Sequence, residues 1–285
     1  MIIGCIIQNN QKKKNFLIKD LHLRWRVFSL KLIANETEYA KRCLEQNYID
    51  KKKPYKSIRT VVRYLDRVCG IHDIDDLYSA IESYIESTGK DVFFDKDTII
   101  QMRNEENPYN ELEGVSLSSN ELYMIVNNNY PHSWRKILFV MLVHYKVKKA
   151  IYTEIDNRRV DADLSIIMND AHTTLSVQKR IEMLSQFEKD GYIELPNGGK
   201  KAKYIFLNYI DEEPQDELIV IEDFFDFYLY FEQYVKGGRL IYCQECGKLV
   251  LSQSKTYPEK YCKKCSKERY LESTKETMRK KRIKS

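Results

Sequence analysis

Apolar positions recur with helical spacing in the first part of the chain. The segment SIRTVVRYLDRVCG predicts a helix whose inward positions are Ile58, Val61, Val62, Leu65 and Val68. The segment DIDDLYSAIESYIESTG repeats the pattern, with Asp73 as the expected N-cap and Gly89 at its end. A shorter helix is predicted in TEYAKRCLEQ. We therefore expect the N-terminal part of the chain to be a helical lobe.

A different order of elements follows between residues 121 and 210. SWRKILFVMLVHYKVKK predicts a long apolar helix from Ser133, and DADLSIIMND predicts a short one. TTLSVQKRIEMLSQFEKDG predicts a third helix, whose inward positions we expect to be Val177, Ile181, Leu184 and Phe187. Two β-prone runs then flank Asn197-Gly198-Gly199, which favours a hairpin because these residues tolerate positive φ. Three helices and a hairpin are the order of a winged helix-turn-helix.

The last part of the chain contains two Cys-x-x-Cys pairs. The first pair is Cys243 and Cys246, the second is Cys262 and Cys265, and fifteen residues separate the pairs. Two such turns can direct four sulfurs at one ion, which is typical of a structural four-cysteine zinc site. Two disulfides, four unrelated core cysteines or a redox pair fit the repeated spacing less well. We therefore expect one structural Zn²⁺ per chain, in the fold of a zinc ribbon.

These patterns predict a mainly α protein with small β elements: a helical N-terminal lobe, a winged helix-turn-helix and a C-terminal zinc ribbon. The predicted segments are 1–106 (helical lobe), 107–120 (connector), 121–210 (winged-helix-like domain), 211–238 (acidic linker, strand and aromatic helix), 239–270 (zinc ribbon) and 271–285 (basic tail).

Composition narrows the class of protein. With 43% hydrophobic and 31% charged residues the chain is globular, and no run of residues is long and apolar enough to span a membrane. The opening MIIGCIIQNN precedes the cations of QKKK, which is the reverse of a secretory signal, so we expect a reducing cytoplasm. The net charge is +5, and the last twenty residues hold eight Lys or Arg and three Glu. This concentration of cations indicates a polyanionic partner.

The cysteine segment resembles a known group of proteins. YCQECGKLVLSQSKTYPEKYCKKC, followed by a basic tail, resembles the C-terminal zinc ribbons of phage and mobile-element proteins from low-GC Gram-positive bacteria. The matching residues are Cys243, Cys246, Gly247, Lys248, Tyr261, Cys262 and Cys265. Some of these proteins are replication initiators or organisers. The upstream KKKPYKSIRTVVRYL and the winged-helix-like stretch also resemble parts of such proteins, and over the first hundred residues the match is vague. The resemblance implies nucleic-acid work on a mobile element.

Three sets of residues are candidate DNA contacts. On the third predicted helix they are Thr174, Ser176, Lys179 and Arg180. At the hairpin tip they are Lys200, Lys201 and Lys203, and in the tail they are Arg279, Lys280, Lys281 and Arg282. Hydroxyls and cations suit base edges and phosphates, although a winged helix can also serve as a scaffold for protein contacts.

No phosphate-binding loop, zinc-protease motif or nucleophile elbow is present in the sequence. The cluster His72, Asp73, Asp75 and Asp76 either caps a helix or holds a metal for a nuclease. Asp95–Asp97 also reads as a cap, and His144 as a partnered core residue. We expect a non-enzymatic DNA-binding protein that acts in replication or transcription control. The alternative is an adaptor that engages a host protein, with a purely structural zinc ribbon.

Overall fold

The computed structural model describes residues 33–50, 53–104, 109–152, 158–160, 163–196, 204–254 and 259–284, with side chains to residue 279. Within these ranges the protein is mainly helical and has three small antiparallel sheets, as the patterning predicted. The chain divides into two compact units, of which the first contains Ile33–Glu111 and the second contains the chain from Leu112 onward. None of the described helices is both long enough and apolar enough to cross a lipid bilayer.

The first unit is built around one central helix. Its helices are α1 (Glu36–Glu45), α2 (Pro54–Arg67), α3 (Ile74–Thr88) and α4 (Lys96–Arg103). Helix α2 packs against the other three, and its Ile58, Val61 and Val62 are completely buried, as predicted. Val68 was predicted on the same face, and this was wrong: the helix ends at Arg67 and Val68 is 48% exposed.

Acidic residues begin two of these helices. The Asp73 side chain accepts hydrogen bonds from the backbone amides of Asp75 and Asp76, at 2.9 and 3.1 Å. Asp95 does the same for the amide of Thr98, at 2.8 Å. The capping interpretation is therefore confirmed for both carboxylates. His72 instead lies 3.0 Å from Asp66, and the cluster around it is not among the groupings of described residues that can hold a metal.

The second unit has more elements, which follow the chain in this order: β1 (Val115–Leu117), α5 (Ser119–Val126), α6 (His132–Ile151), β2 (Arg159–Val160), α7 (Leu164–Asp170), α8 (Val177–Lys189), β3 (Ile193–Glu194), β4 (Ile205–Leu207), β5 (Ile219–Ile221), α9 (Tyr228–Lys236), β6 (Arg239–Tyr242), β7 (Leu249–Ser252) and α10 (Lys263–Lys284). Helix α6 is the centre of this unit, because every residue from Lys136 to Tyr145 is buried. A helix that is buried on all sides must be surrounded, and α5, α7, α9, β1 and β2 pack around it.

Two antiparallel sheets join distant parts of this unit. Strand β1 pairs with β5, with Val115 opposite Ile221, so the strand that was predicted between residues 211 and 238 is confirmed. Strand β1 itself lies in the segment that was predicted to be a connector. In the other sheet the strand order is β2-β4-β3. The predicted hairpin is present as β3 and β4, and its tip, residues 197–203, lies outside the described residues.

Helix α8 faces the core with different residues from those that were predicted. Phe187 is buried as expected, but the second buried residue is Met183. Val177 and Ile181 were predicted to face inward, and this was wrong, because they are 69% and 58% exposed. The helix carries two overlapping apolar stripes, and the stripe that contains Phe187 packs on the aromatic rings of Tyr130 and Trp134, at 5.1 and 5.8 Å between ring centroids.

Buried carboxylates fix the helices around α6. His144 on α6 lies 2.8 Å from Asp170 at the end of α7, which confirms that this histidine is a partnered core residue. Glu232 on α9 accepts hydrogen bonds from His132 and Lys136 of α6, at 3.0 and 3.1 Å. Burial raises the pKa of the Glu232 carboxyl, but hydrogen bonds from Lys236, His132 and Lys136 outweigh it and lower the pKa from 4.5 to about 2.

The substitution Glu232→Gln should lower the free energy of unfolding by about 2–3 kcal/mol at pH 7, because Lys136 then stays buried without its anion. The pKa of this carboxyl is lower in the folded state, so its contribution is complete above pH 4.5 and disappears as the pH falls towards 2. Denaturant titrations from pH 7 to pH 2 measure the difference.

The matched control is Glu213→Gln, which removes one negative charge from an exposed position of the same unit. This control should change the free energy of unfolding by less than about 0.5 kcal/mol. A cost for Glu232→Gln that stays constant down to pH 2 would show that the carboxylate charge is not what stabilises this contact.

Candidate metal centre and nucleic-acid interface

The first cysteine pair lies in the turn between β6 and β7. These strands pair in register, with Tyr242 opposite Leu249, and the turn continues the hairpin. The amide of Cys243 donates to the carbonyl of Lys248 at 2.8 Å, and the amide of Gly247 donates to the carbonyl of Cys243 at 2.8 Å. Gly247 has φ +65°, a left-handed conformation that glycine adopts without steric strain. The tight turn directs the Cys243 and Cys246 sulfurs to the same side.

The second pair lies at the start of α10. The amide of Cys265 donates to Sγ of Cys262 at 3.4 Å, and the amide of Ser266 donates to the carbonyl of Cys262 at 2.9 Å. The N-terminal end of a helix carries partial positive charge, which stabilises thiolates there. A bond of 3.0 Å from the amide of Gln244 to the carbonyl of Lys260 holds the two turns together.

The four sulfurs converge on one point. Cys243, Cys246, Cys262 and Cys265 each offer one Sγ, and these atoms all lie within 4.8 Å of one another. The distance from Sγ of Cys246 to Sγ of Cys262 is 3.9 Å, far above the roughly 2.05 Å of a disulfide bond. Among the described residues this is the one grouping that can hold a metal ion. Cys43 and Cys69 are in the first unit, and Cys5 lies outside the described residues.

The thiols differ in how readily they ionise. Burial raises the pKa of Cys246 to about 11, and burial likewise holds the pKa of Cys265 well above its usual range. Burial also opposes ionisation of Cys243, but hydrogen bonds from the backbone amides of Cys262, Cys246 and Glu245 lower its pKa to about 7. A metal ion binds thiolates, so it must displace protons from this cluster. Four thiolate ligands would leave no open coordination position, which favours a structural role.

Charged side chains connect the cluster to its surroundings. Arg269 of α10 lies 2.9 Å from Glu245 in the first turn, and its guanidinium stacks 4.5 Å from the centre of the Tyr261 ring. Lys248 lies 3.5 Å from Asp226, a residue just before α9 that is also 3.7 Å from His172, just before α8. The cysteine hairpin is thus linked through one carboxylate to the segment that leads into α8.

Helix α8 presents several of the predicted contact residues to solvent. Thr174, Ser176 and Lys179 are exposed. Ser176 also serves as the N-cap, since its hydroxyl accepts a hydrogen bond from the amide of Lys179 at 3.4 Å. Arg180 is half-buried, because its Nε donates to the carbonyl of Leu175 at 3.0 Å. The sequence analysis did not identify Val177, Gln178 and Ile181 as exposed residues. A signal was present in the sequence, because Met183 lies on a second apolar stripe, and burial of that stripe leaves these three residues on the solvent side.

The remaining predicted contacts lie in the hairpin tip and in α10. Lys200, Lys201 and Lys203 lie outside the described residues. Helix α10 has 22 residues and is about 33 Å long, and its side chains from Ser266 to Arg279 are exposed. Arg279 is among them, whereas Lys280, Lys281 and Arg282 lie on the helix with side chains that the structure does not describe. The predicted basic tail is therefore the distal part of this helix.

Cys262→Ser should reduce the metal content from about one ion per chain to a small fraction of that, because it removes one of four ligands. The control is a triple serine variant at Cys5, Cys43 and Cys69, which should keep the metal. Elemental analysis of freshly reduced protein measures both variants. Equal metal content in Cys262→Ser and the unchanged chain would place the ion elsewhere.

Acid should release the metal, because protons compete with it for the thiolates. Titration from pH 7.5 to pH 4 with a colorimetric chelator follows the release. Each proton that binds one of the four sulfurs removes a ligand, so the ion should be lost progressively as the pH falls. Metal that stays bound at pH 4 as firmly as at pH 7.5 would contradict thiolate ligation.

Comparison of the chain with known proteins gave no match to a protein-family model, to a curated protein or to a solved structure.

Proposed function

We propose that this chain is a non-enzymatic DNA-binding protein that contacts the major groove with helix α8. The observation that carries the proposal is the placement of this helix. One side of α8 packs on the core through Met183 and Phe187, and the other side is open to solvent from Thr174 to Ser185. A helix that is held firmly on one side and open on the other can enter the major groove, which is wide enough for it.

The order of elements around α8 supports this proposal. The sequence α6, β2, α7, α8, β3, β4, with the sheet order β2-β4-β3, fits a winged helix-turn-helix. In that arrangement the hairpin beside the third helix lies against the DNA backbone. The hairpin tip here carries Lys200, Lys201 and Lys203, which suit phosphate contacts.

We further propose that the metal is zinc and that the cysteine hairpin is a zinc ribbon. Soft thiolate ligands in a set of four are typical of zinc, and zinc–sulfur distances of about 2.3 Å place tetrahedral ligands about 3.8 Å apart. The 3.9 Å between the Cys246 and Cys262 sulfurs fits that spacing. Such an ion would fix the start of α10 and, through Lys248 and Asp226, support the segment before α8.

Helix α10 would supply contacts that do not depend on base sequence. Arg279, Lys280, Lys281, Arg282 and Lys284 follow one another closely without an intervening acid. Phosphates are the same in every sequence, so these cations would raise the affinity for all DNA. The resemblance of the cysteine segment to phage and mobile-element proteins supports a role in replication or transcription control on such an element.

The first test concerns the hairpin tip. Lys200→Glu with Lys201→Glu should weaken duplex binding by roughly tenfold or more, because two lysines no longer neutralise phosphates and release their counterions. The matched control is Lys41→Glu with Lys90→Glu, which makes the same change in charge at exposed positions of the first unit. Fluorescence anisotropy at 0.1 M salt measures both. Equal binding by the two variants would remove the hairpin from the interface.

The second test concerns the end of α10. Deletion of Met278–Ser285 removes five Lys or Arg and no acid. It should lower the affinity for any two duplexes by similar factors. It should also flatten the slope of log affinity against log salt, by about 0.9 for each phosphate that the deleted cations would have neutralised. Loss of binding to only one of the two duplexes would show that this segment reads sequence. Failure of the undeleted chain to bind either duplex would contradict the proposed function and favour the protein adaptor.

A further inference from the structure

The outward side of α8 carries two large apolar side chains in an otherwise polar setting. Val177 and Ile181 are 69% and 58% exposed. They are four residues apart, so they lie next to each other on the same side of the helix, separated by about 6 Å along its axis. Met183 and Phe187 already supply the contact of this helix with the core. The exposed pair is therefore not needed to hold α8 in place.

The neighbours of this pair are groups that form hydrogen bonds. Gln178 and Ser185 are exposed and project to the same side of α8. Lys179 is exposed at the flank, where a cation can meet a phosphate. Glu182 is the exposed acid nearest to this side, and an acid inside the major groove faces base amino groups rather than phosphates. The surface thus combines two exposed apolar groups, beside the half-buried Leu184, with an amide, a hydroxyl and a flanking cation.

The composition of this surface decides between two kinds of partner. A stable protein interface needs about 800 Å² from each partner and an apolar centre, and two side chains that polar groups surround do not supply one. The major groove offers single apolar groups, the C5-methyl groups of thymine, at successive base steps of about 3.4 Å. A separation of about 6 Å between Val177 and Ile181 approximates two such steps. Glutamine pairs with N6 and N7 of adenine, the partner of thymine.

We propose that Val177 and Ile181 contact thymine methyl groups, that Gln178 pairs with adenine in the same tract, and that the chain therefore selects A·T-rich sites through the major groove. This inference rests on the proposed function, because it requires α8 to enter the major groove. It adds the class of DNA that the site accepts and the residues that select it.

Three duplexes of about twenty base pairs test the inference with the full chain: alternating A·T, alternating A·U and alternating G·C. Uracil keeps every hydrogen-bonding group of thymine and lacks only the C5-methyl group. The unchanged protein should bind the A·U duplex roughly fivefold to tenfold more weakly than the A·T duplex, because the two apolar side chains then meet no methyl group. It should bind the G·C duplex more weakly still, because Gln178 then has no adenine.

A double variant ties the effect to the two side chains. Val177→Ser with Ile181→Ser should bind the A·T and A·U duplexes with nearly equal affinity, close to that of the unchanged chain on A·U. Both side chains are largely exposed, so the variant should fold normally, which circular dichroism checks. The matched control is Leu218→Ser with Val220→Ser, two exposed apolar residues at β5 that should leave the preference for thymine intact.

Each result distinguishes this inference from the function on which it rests. Equal binding of A·T and A·U by the unchanged chain overturns the recognition of methyl groups and leaves DNA binding in place. The inference is likewise overturned if the double serine variant still prefers A·T to A·U, or if the unchanged chain prefers G·C. Binding to none of the three duplexes overturns the proposed function and this inference together.

Discussion

The burial of α6 is the constraint that organises the second unit. From Lys136 to Tyr145 every residue of this helix is buried, so the helix has no side that can face water. Strands β1 and β2 and helices α5, α7 and α9 cover it, and β1 is itself paired with β5 from a distant part of the chain. Helix α8 packs at the end of this assembly, where Phe187 meets Trp134. Only one side of α8 is used in this way, and the other remains available for a partner.

Polar contacts then fix the positions that apolar packing leaves undetermined. Glu232 holds α9 against α6, and Asp170 holds the end of α7 against the same helix. Asp226 lies between His172 and Lys248, and it thereby relates the entrance of α8 to the cysteine hairpin. Buried ion pairs such as those of Glu232 and Asp170 are weak sources of net stability, but removal of one partner is costly, so they specify a single arrangement. A metal ion in the hairpin would thus be connected to the segment before α8 through Lys248 and Asp226.

Much of the local structure could be predicted from sequence, because its causes are local. The caps formed by Asp73 and Asp95 and the left-handed Gly247 each depend on a few neighbouring residues. The convergence of the four sulfurs follows in the same way from two repeated short spacings. In each case the chemistry needs particular residue types at fixed offsets, and the sequence displays them directly.

The rest depended on contacts between distant residues. The pairing of β1 with β5 joins segments about a hundred residues apart, and β2 is only two residues long, too short to show alternation. The orientation of α8 was predicted wrongly because Ile181 and Met183 lie on competing apolar stripes, and the choice between them is made by the rings of Tyr130 and Trp134. That choice matters for function, since it decides which side chains can touch a ligand.

The central claim, that α8 contacts DNA bases in the major groove, can be tested directly by photochemical cross-linking. In 5-iodouracil the iodine atom occupies the position of the thymine methyl group, so irradiation joins the base to side chains that touch that position. The full chain, irradiated on an A·T-rich duplex that contains this base, is digested and the joined peptide is identified by mass spectrometry. The account predicts a cross-link between residues 174 and 185. Cross-links confined to the first unit or to α10 would contradict it.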